Sequence, residues 1–378
     1  MNARKFNAGN ERIKHRYLGF LADAKQLSPG TIDQVAATLY DFESATDLRD
    51  FRLFRSEMAQ SYKRRLNETD NQKSRQPLSK ATIAGRLASL KAFFQWLSMQ
   101  PGFKSRINYS DADYFNQAGT DARIAKASRE KQVPSIEQLR HVLKSMPNST
   151  EVERRDRAII AFALISGARD NAIASLSLRH VDPDQRRITQ DPRDGVRTKN
   201  SKTIVSTFFP VGGDIEEIVC EWIKFLRTEK FWGPDDPLFP KTKTELGSNG
   251  FFESSGLNRD HWKSAAAIRA IFKKAFENAQ LPYFNPHTIR STLAMLGERT
   301  CKTPEQFKAW SQNLGHEQVL TTLTSYGQVT QGRQDEILIQ MADAEGAIAP
   351  ISDRPLIGVE PDRLEKLERM ISELYESR

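Results

Sequence analysis

The sequence predicts a mainly α-helical protein with a small antiparallel β-sheet. Apolar residues recur at helical spacing along most of the chain, as in Ile83, Leu87, Leu90, Phe94 and Leu97. Helix-start signals stand ahead of such runs: Ser28-Pro29, Ser79, the capping box Ser135-Ile-Glu-Gln138 and Asn285-Pro286. Alternation suited to strands is confined to 186–189 and 203–209. Between them lies a polar turn, DPRDGVRTKNSK, rich in the Asp, Gly and Asn that a hairpin needs.

Taken in order, residues 11–115 read as a helical domain. The first helix, 11–25, offers Ile13, Tyr17, Leu18 and Leu21 for burial. The second, from Ser28-Pro29, has Ile32, Val35, Ala36, Leu39 and Tyr40 on one face. Asp47 or Asp50 caps a third that runs to about Leu66, and the fourth begins at Ser79. Lys63 and Arg64 close the third helix, and Lys80, Arg86 and Lys91 lie off the apolar stripe of the fourth. A basic helical surface of this kind suits a clamp on a polyanion, with ordinary solvated helix faces as the plain alternative. Residues 116–132 lack apolar periodicity and read as an exposed linker, whose Lys126 and Arg129 could follow a phosphate backbone.

A second domain spans 133–345. It opens with the Ser135 helix to about Met146, followed by a strongly apolar helix, 154–166, suited to the centre of a core. Gly167-Ala-Arg-Asp170 then turns the chain toward the hairpin. Helices resume at 214–230 and 261–280, and the intervening 231–260, rich in Gly, Pro and Ser, reads as a loop. After Tyr326 come a helix at about 331–342, a spacer, and an amphipathic segment, 361–377. The stripe of that last segment, Leu364, Leu367, Met370, Ile371 and Leu374, could pack on its own domain or on a neighbouring copy.

Composition narrows the function. A net charge of +8 over 378 residues favours an anionic polymer or surface as partner. Cys220 and Cys301 have neither CxxC nor Cys/His spacing, so neither a disulfide framework nor a zinc module is indicated, and a reducing cytosol is the expected compartment. The N-terminus lacks the apolar core of a signal peptide, and the longest apolar run, 158–168, is too short to cross a bilayer. The chain contains no HExxH and no GxxxxGK[ST], so metalloprotease and nucleotide-hydrolysing chemistry are not indicated.

The chemistry concentrates in 285–326. His287 and Arg290, three apart on a predicted helix, share a face. Leu314-Gly-His316 follows, then Tyr326. Each feature alone has a bland explanation: a solvated helix face, a helix C-cap, a packed tyrosine. Together they offer a guanidinium for phosphate, imidazoles for proton movement and a phenol as nucleophile.

With Gly167-Ala-Arg169 upstream, the order of these residues resembles the tyrosine recombinases of the phage-integrase family. In that family an Arg follows a Gly in a short turn, a Lys sits on a β-hairpin, a His-x-x-Arg opens a helix, a Leu-Gly-His follows, and a Tyr closes the series. Here these are Arg169, Lys199 (with Lys202 as the other reading), His287 and Arg290, His316, and Tyr326. The resemblance covers most of the chain. It implies a helical core-binding domain at 11–115 and a mixed α/β catalytic domain of the tyrosine recombinase type at 133–345. One departure is Ala172, where the family usually has Glu three residues after the first Arg; Asp170 is a candidate substitute. The spacing from His316 to Tyr326 is also one residue longer than expected.

The implied activity is site-specific DNA recombination through a 3′-phosphotyrosyl intermediate, without metal or cofactor, by a homotetramer on two double-stranded DNA sites. The resemblance points to a mobile element in a prokaryotic cytoplasm. Arg169 and Arg290 would bind the non-bridging oxygens of the phosphate, His287 would take the proton of Tyr326, Lys199 would protonate the leaving oxygen, and His316 would hydrogen-bond the phosphate. Two rivals remain: a type IB topoisomerase-like relaxing activity, and a DNA-binding protein without catalysis. An additional N-terminal arm-binding domain is not expected, since only about ten residues precede the first helix.

Overall fold

The computed structural model describes residues 6–70, 76–126, 132–246, 250–316, 334–335 and 338–339. It is mostly helical with two small antiparallel sheets. The chain forms two compact units, one up to residue 128 and one from 129 onward.

The first unit contains α1 (Ala8–Asp23), α2 (Pro29–Ala45), α3 (Ser56–Glu68), α4 (Lys80–Ser98) and α5 (Gly119–Lys126). Ser28 and Ser79 accept from Thr31 and Thr82 backbone N–H, as their positions ahead of apolar runs predict. The core is aromatic: Phe42, Phe51, Phe54, Tyr62, Phe93, Phe94 and Phe115 meet mainly edge to face. A buried polar link crosses it. Lys14 Nζ lies 2.5 Å from Glu43 Oε2, and Asn10 Nδ2 donates to Glu43 Oε1 at 2.9 Å and to the Arg49 carbonyl at 2.8 Å.

Two expectations fail here. Neither Asp47 nor Asp50 caps the third helix, which begins at Ser56. Asp50 instead accepts from Arg52 N–H at the head of a single 3₁₀ turn, and Asp47 and Leu48 are left-handed at φ 52° and 57°. Burial of both Phe51 and Phe54 sets that local path. Part of the expected linker is also helical. Residues of α5 pack on α4, and Lys80 pairs with Asp121 at 3.1 Å; tertiary contact supplies what periodicity did not.

The second unit contains α6 (Ile136–Ser145), α7 (Glu151–Ser166), α8 (Asp170–Ile173), β1 (Val181–Asp182), β2 (Arg187–Gln190), β3 (Ile204–Thr207), α9 (Gly213–Thr228), β4 (Lys241–Leu246), β5 (Phe252–Asn258), α10 (Ala266–Asn278), α11 (Pro286–Thr300) and α12 (Pro304–Asn313). The Ser135–Gln138 capping box forms, and α7 is buried from Ala158 to Ser166, which makes it the axis of the core. Strands β1, β2 and β3 form an antiparallel sheet in that order, with Ile188 opposite Val181 and Ser206.

The expected loop 231–260 contains a β-hairpin. Strands β4 and β5 pair antiparallel with a bulge at Lys243/Thr244. The outer four residues of β4 are all exposed, so neither face shows the alternation that marks a half-buried strand. The expected helices at 331–342 and 361–377 lie outside the described residues, apart from four positions of the first.

Candidate active site

Three segments of the second unit meet at Arg290. Helix α7 ends in Gly167, left-handed at φ 58°. A Cβ there would stand 2.9 Å from Leu314, 3.2 Å from Leu293 and 3.2 Å from Phe209, so glycine is required by both conformation and space. Asn285 caps α11 by accepting from His287 N–H at 2.9 Å, with Pro286 in the first turn. That start places Arg290 one turn in, 3% exposed.

Helix α12 ends in a Schellman motif. Gly315 N–H donates to the Gln312 carbonyl at 2.7 Å, and His316 N–H donates to the Ser311 carbonyl at 3.2 Å. Gly315 is left-handed at φ 74°, with Ile204 packed where a Cβ would go. Leu-Gly-His is therefore a helix C-cap, and the cap is what aims His316. The α12 terminus is tied to β3 by Asn313, which donates to the Thr207 carbonyl at 2.8 Å and accepts from Thr207 N–H at 2.7 Å. Trp310 anchors α12 on α11: its indole N–H reaches the Leu293 carbonyl at 2.9 Å, and its ring fills the space a side chain at Gly297 would need.

The Arg290 guanidinium joins these pieces. It donates through Nη1 to the Gly167 carbonyl, and through Nη2 to the Leu314 carbonyl at 2.5 Å and to His316 Nε2 at 3.0 Å. A guanidinium cannot accept, so His316 Nε2 is the acceptor and the neutral ring carries its proton on Nδ1. Burial, and then the positive charges of Arg290, Arg169 and Lys202, pull the His316 pKa down to about 4, with the His287 imidazole adding last. Two guanidiniums, an ammonium and a second imidazole thus act electrostatically on one buried ring.

Arg169 stands just before the single turn α8, makes no side-chain capping bond there, and is half-buried. Among the described residues its guanidinium has no hydrogen bond or ion pair, in contrast to Arg290. Asp170, the sequence candidate to support it, bonds elsewhere: its carboxylate accepts from Arg269 Nε on α10 at 2.7 Å. Ala172 is buried and offers no acceptor. His287 is exposed at the start of α11. Of the two hairpin lysines, Lys199 is exposed on a short 3₁₀ turn, whereas Lys202 is half-buried just before β3 and is one of the charges acting on His316. Tyr326 lies outside the described residues.

The turn carrying Lys202 is fastened at its base. Asp191 pairs with Arg193 and accepts from its backbone N–H; these bonds, Arg193's side chain foremost, hold the Asp191 carboxyl down at about 2. Arg197 donates to the Trp262 and Lys263 carbonyls at 2.8 and 2.9 Å, and its N–H reaches Ser175 Oγ at 2.9 Å. Sequence reading missed Arg197, Arg269 and Asn313. No local signal marks them, because their partners lie far away in the chain.

The cations expected to line the first unit's surface have local partners. Lys63 donates to the Tyr114 and Asn116 carbonyls, Lys91 pairs with Asp113 at 2.8 Å, Lys80 reaches Asn67 and Asp121, and Arg86 pairs with Asp41 at 3.0 Å. Arg64 is exposed. Arg129 and the Lys126 side chain lie outside what is described. Among the described residues no group of acidic, His or Cys side chains could hold a metal ion, and no helix is long and apolar enough to cross a membrane.

Comparison with known proteins gives the family and the fold. The model of the phage integrase family matches residues 129–333, and that of the phage integrase N-terminal SAM-like domain matches 15–100. Among solved structures, a phage lambda integrase dimer bound to a core site is 12% identical with a TM-score of 0.58, covering 84% of this chain and 95% of that one. The Tn1549 transposon integrase in complex with transposon right-end DNA is 17% identical with a TM-score of 0.54, covering 87% and 99%. These similarities establish a shared fold. No curated protein sequence matches the chain.

Proposed function

Since the chain belongs to the phage integrase family and is a tyrosine site-specific recombinase, we propose that it cuts and rejoins the DNA of a mobile element through Tyr326. Its partner is DNA, the ligand in both structural relatives. The phenolic oxygen of Tyr326 attacks the scissile phosphorus, the bond to the 5′-oxygen breaks, and a 3′-phosphotyrosyl bond replaces it. One phosphoester is exchanged for another, so rejoining by a 5′-hydroxyl needs no nucleotide.

What supports this reading is the hold of the Arg290 guanidinium on the Gly167 and Leu314 carbonyls and on His316 Nε2, with the charges of Arg169 and Lys202 acting on the same ring. A pentacoordinate phosphorane gathers negative charge on its non-bridging oxygens, and two fixed guanidiniums stabilise that charge more than the ground state. Arg290 is preorganised by carbonyls, while Arg169 keeps its donors for the phosphate. His287 takes the phenol proton. Lys202, rather than Lys199, donates to the leaving 5′-oxygen, because it shares the field of the other four groups. His316 turns its ring to the phosphate once the anion enters.

In the same reading, residues 11–115 clamp the DNA and 133–345 perform the chemistry. Arg64 supplies a phosphate contact, with Lys126 and Arg129 in the connecting segment. Lys63, Lys80, Arg86 and Lys91 shape the clamp through their own partners and contact phosphate from there. Four copies act on two sites in a prokaryotic nucleoid, with the segment 361–377 exchanged between them.

A nicked suicide duplex carrying the target site tests the reading. Wild type should form a covalent complex on a denaturing gel, and Tyr326→Phe should form none. A mobility shift without any adduct would leave a DNA-binding protein. Sequence-independent relaxation of a supercoiled plasmid would indicate topoisomerase action instead.

A further inference from the structure

We propose that Arg269, acting through Asp170, is a positioning residue for Arg169. The inference rests on the phosphate-binding role given to Arg169 above.

Arg169 stands at the head of α8, a single turn of four residues between the end of α7 and the three-stranded sheet. Its backbone is left-handed two residues earlier, at Gly167, and its own carbonyl accepts from Ile173 N–H at 3.0 Å, so the turn is held at both ends by a short set of contacts. Two of them are on the upstream side: the Gly167 carbonyl held by Arg290, and the Ala168 N–H on Ser166 Oγ at 3.0 Å. On the downstream side, the polar side-chain anchor nearest to Arg169 is Asp170. One carboxylate oxygen takes the Asn171 N–H at 2.9 Å, and the other takes Arg269 Nε at 2.7 Å.

Arg269 comes from α10, part of the core through Ile268 and Phe272, so the pair joins the turn to a rigid element. The Asp170 side chain is 20% exposed and Arg269 is 56% exposed, and the Tyr283 phenol lies in the field of both. Ala172 is buried and supplies no carboxylate to the Arg169 guanidinium. Among the described residues that guanidinium has no partner of its own, so its aim depends on the backbone that carries it. A shift near 1 Å in a group that binds the reacting phosphate costs up to roughly 100-fold in rate.

The test compares wild type, Arg269→Ala, Arg269→Lys, Asp170→Asn and the exchanged pair Asp170→Arg with Arg269→Asp. Each is assayed for single-turnover cleavage of the suicide duplex at saturating DNA and for DNA affinity by mobility shift. Arg269→Ala and Asp170→Asn should cleave about 10-fold to 100-fold more slowly with affinity within about 2-fold of wild type, while Arg269→Lys and the exchanged pair recover part of the rate. A second substrate carries a neutral methylphosphonate at the scissile position. There the negative oxygen that Arg169 binds is gone, so the deficit of Arg269→Ala should shrink.

A deficit of equal size on both substrates would make the pair merely structural and overturn the proposal. Weakened DNA binding with an unchanged saturated rate would make Arg269 a backbone contact and overturn it equally. Full activity in Arg269→Ala beside an active wild type refutes the positioning role alone. An inactive wild type refutes the recombinase reading beneath it.

Discussion

Arg169 and Arg290 should differ in what they do for stability. Arg290 is buried and holds two carbonyls from separate helix ends, Gly167 of α7 and Leu314 of α12. Truncation in Arg290→Ala leaves both acceptors buried without that donor. A buried group left unsatisfied costs about 1–3 kcal/mol, so the two together cost roughly 2–6 kcal/mol. For a unit of this size, each kcal/mol lowers the melting temperature by about 2–4 °C, which puts the shift at roughly 4–24 °C.

Lys cannot replace it, because a single ammonium lacks the planar fork that reaches both carbonyls. Arg169 makes no such bonds among the described residues and is half-buried, so Arg169→Ala should melt within about 0.5 kcal/mol of wild type while losing cleavage by at least roughly 100-fold. Differential scanning calorimetry on the two variants and wild type, beside single-turnover cleavage, decides the matter. An Arg290→Ala protein that melts with wild type, or an Arg169→Ala protein destabilised as much as Arg290→Ala, would refute the division of labour.

Other outcomes follow from the same geometry. The folded-state pKa of His316 is depressed to about 4 against an ordinary 6.5, so its contribution is intact above pH 6.5 and is lost as pH falls from 6.5 to 4; the loss reaches about 3 kcal/mol, and a pH series of urea melts should flatten in that window for His316→Gln. Gly167→Ala meets both the left-handed penalty and a Cβ 2.9 Å from Leu314, and should cost roughly 2–4 kcal/mol in chemical denaturation. Lys202→Ala should slow cleavage by roughly 100-fold and Lys199→Ala by only a few-fold; a substrate with sulfur as the bridging 5′-atom, which leaves without a proton, should restore Lys202→Ala. In the first unit, Lys14→Met strands the buried Glu43 carboxylate and should cost about 3–5 kcal/mol by calorimetry.

What the sequence discloses and what it hides follow one physical division. Caps are local: Ser28, Ser79, Ser135 and Asn285 are legible because a short polar side chain bonds a backbone N–H two or three residues on. The helix faces are legible because burial repeats with the helical period. The β4–β5 hairpin is not, since strands wetted on both faces leave no alternation to read. Asp50 is misread because two buried phenylalanines, not its capping chemistry, decide where α3 begins.

At the site, the order Arg169, His287, Arg290, His316 can be read along the chain, and the fold brings Arg290 onto His316 and puts the other charges in the field of that ring. Choosing between Lys199 and Lys202 needs the path of a thirteen-residue connection, 191–203, fixed by Arg197 and Asp191 contacts that no spacing rule encodes. The Asp170–Arg269 pair is hidden for the same reason: its members are separated by 99 positions.

Proteolysis of the covalent DNA adduct, followed by mass spectrometry of the nucleotide-bearing peptide, tests the proposed chemistry most directly. The predicted result is a nucleotide on the peptide containing Tyr326, formed at least roughly 100-fold more slowly when either Arg169 or Arg290 is replaced by Ala. A nucleotide on any other residue, or an adduct that forms at the wild-type rate without Arg169, would contradict it.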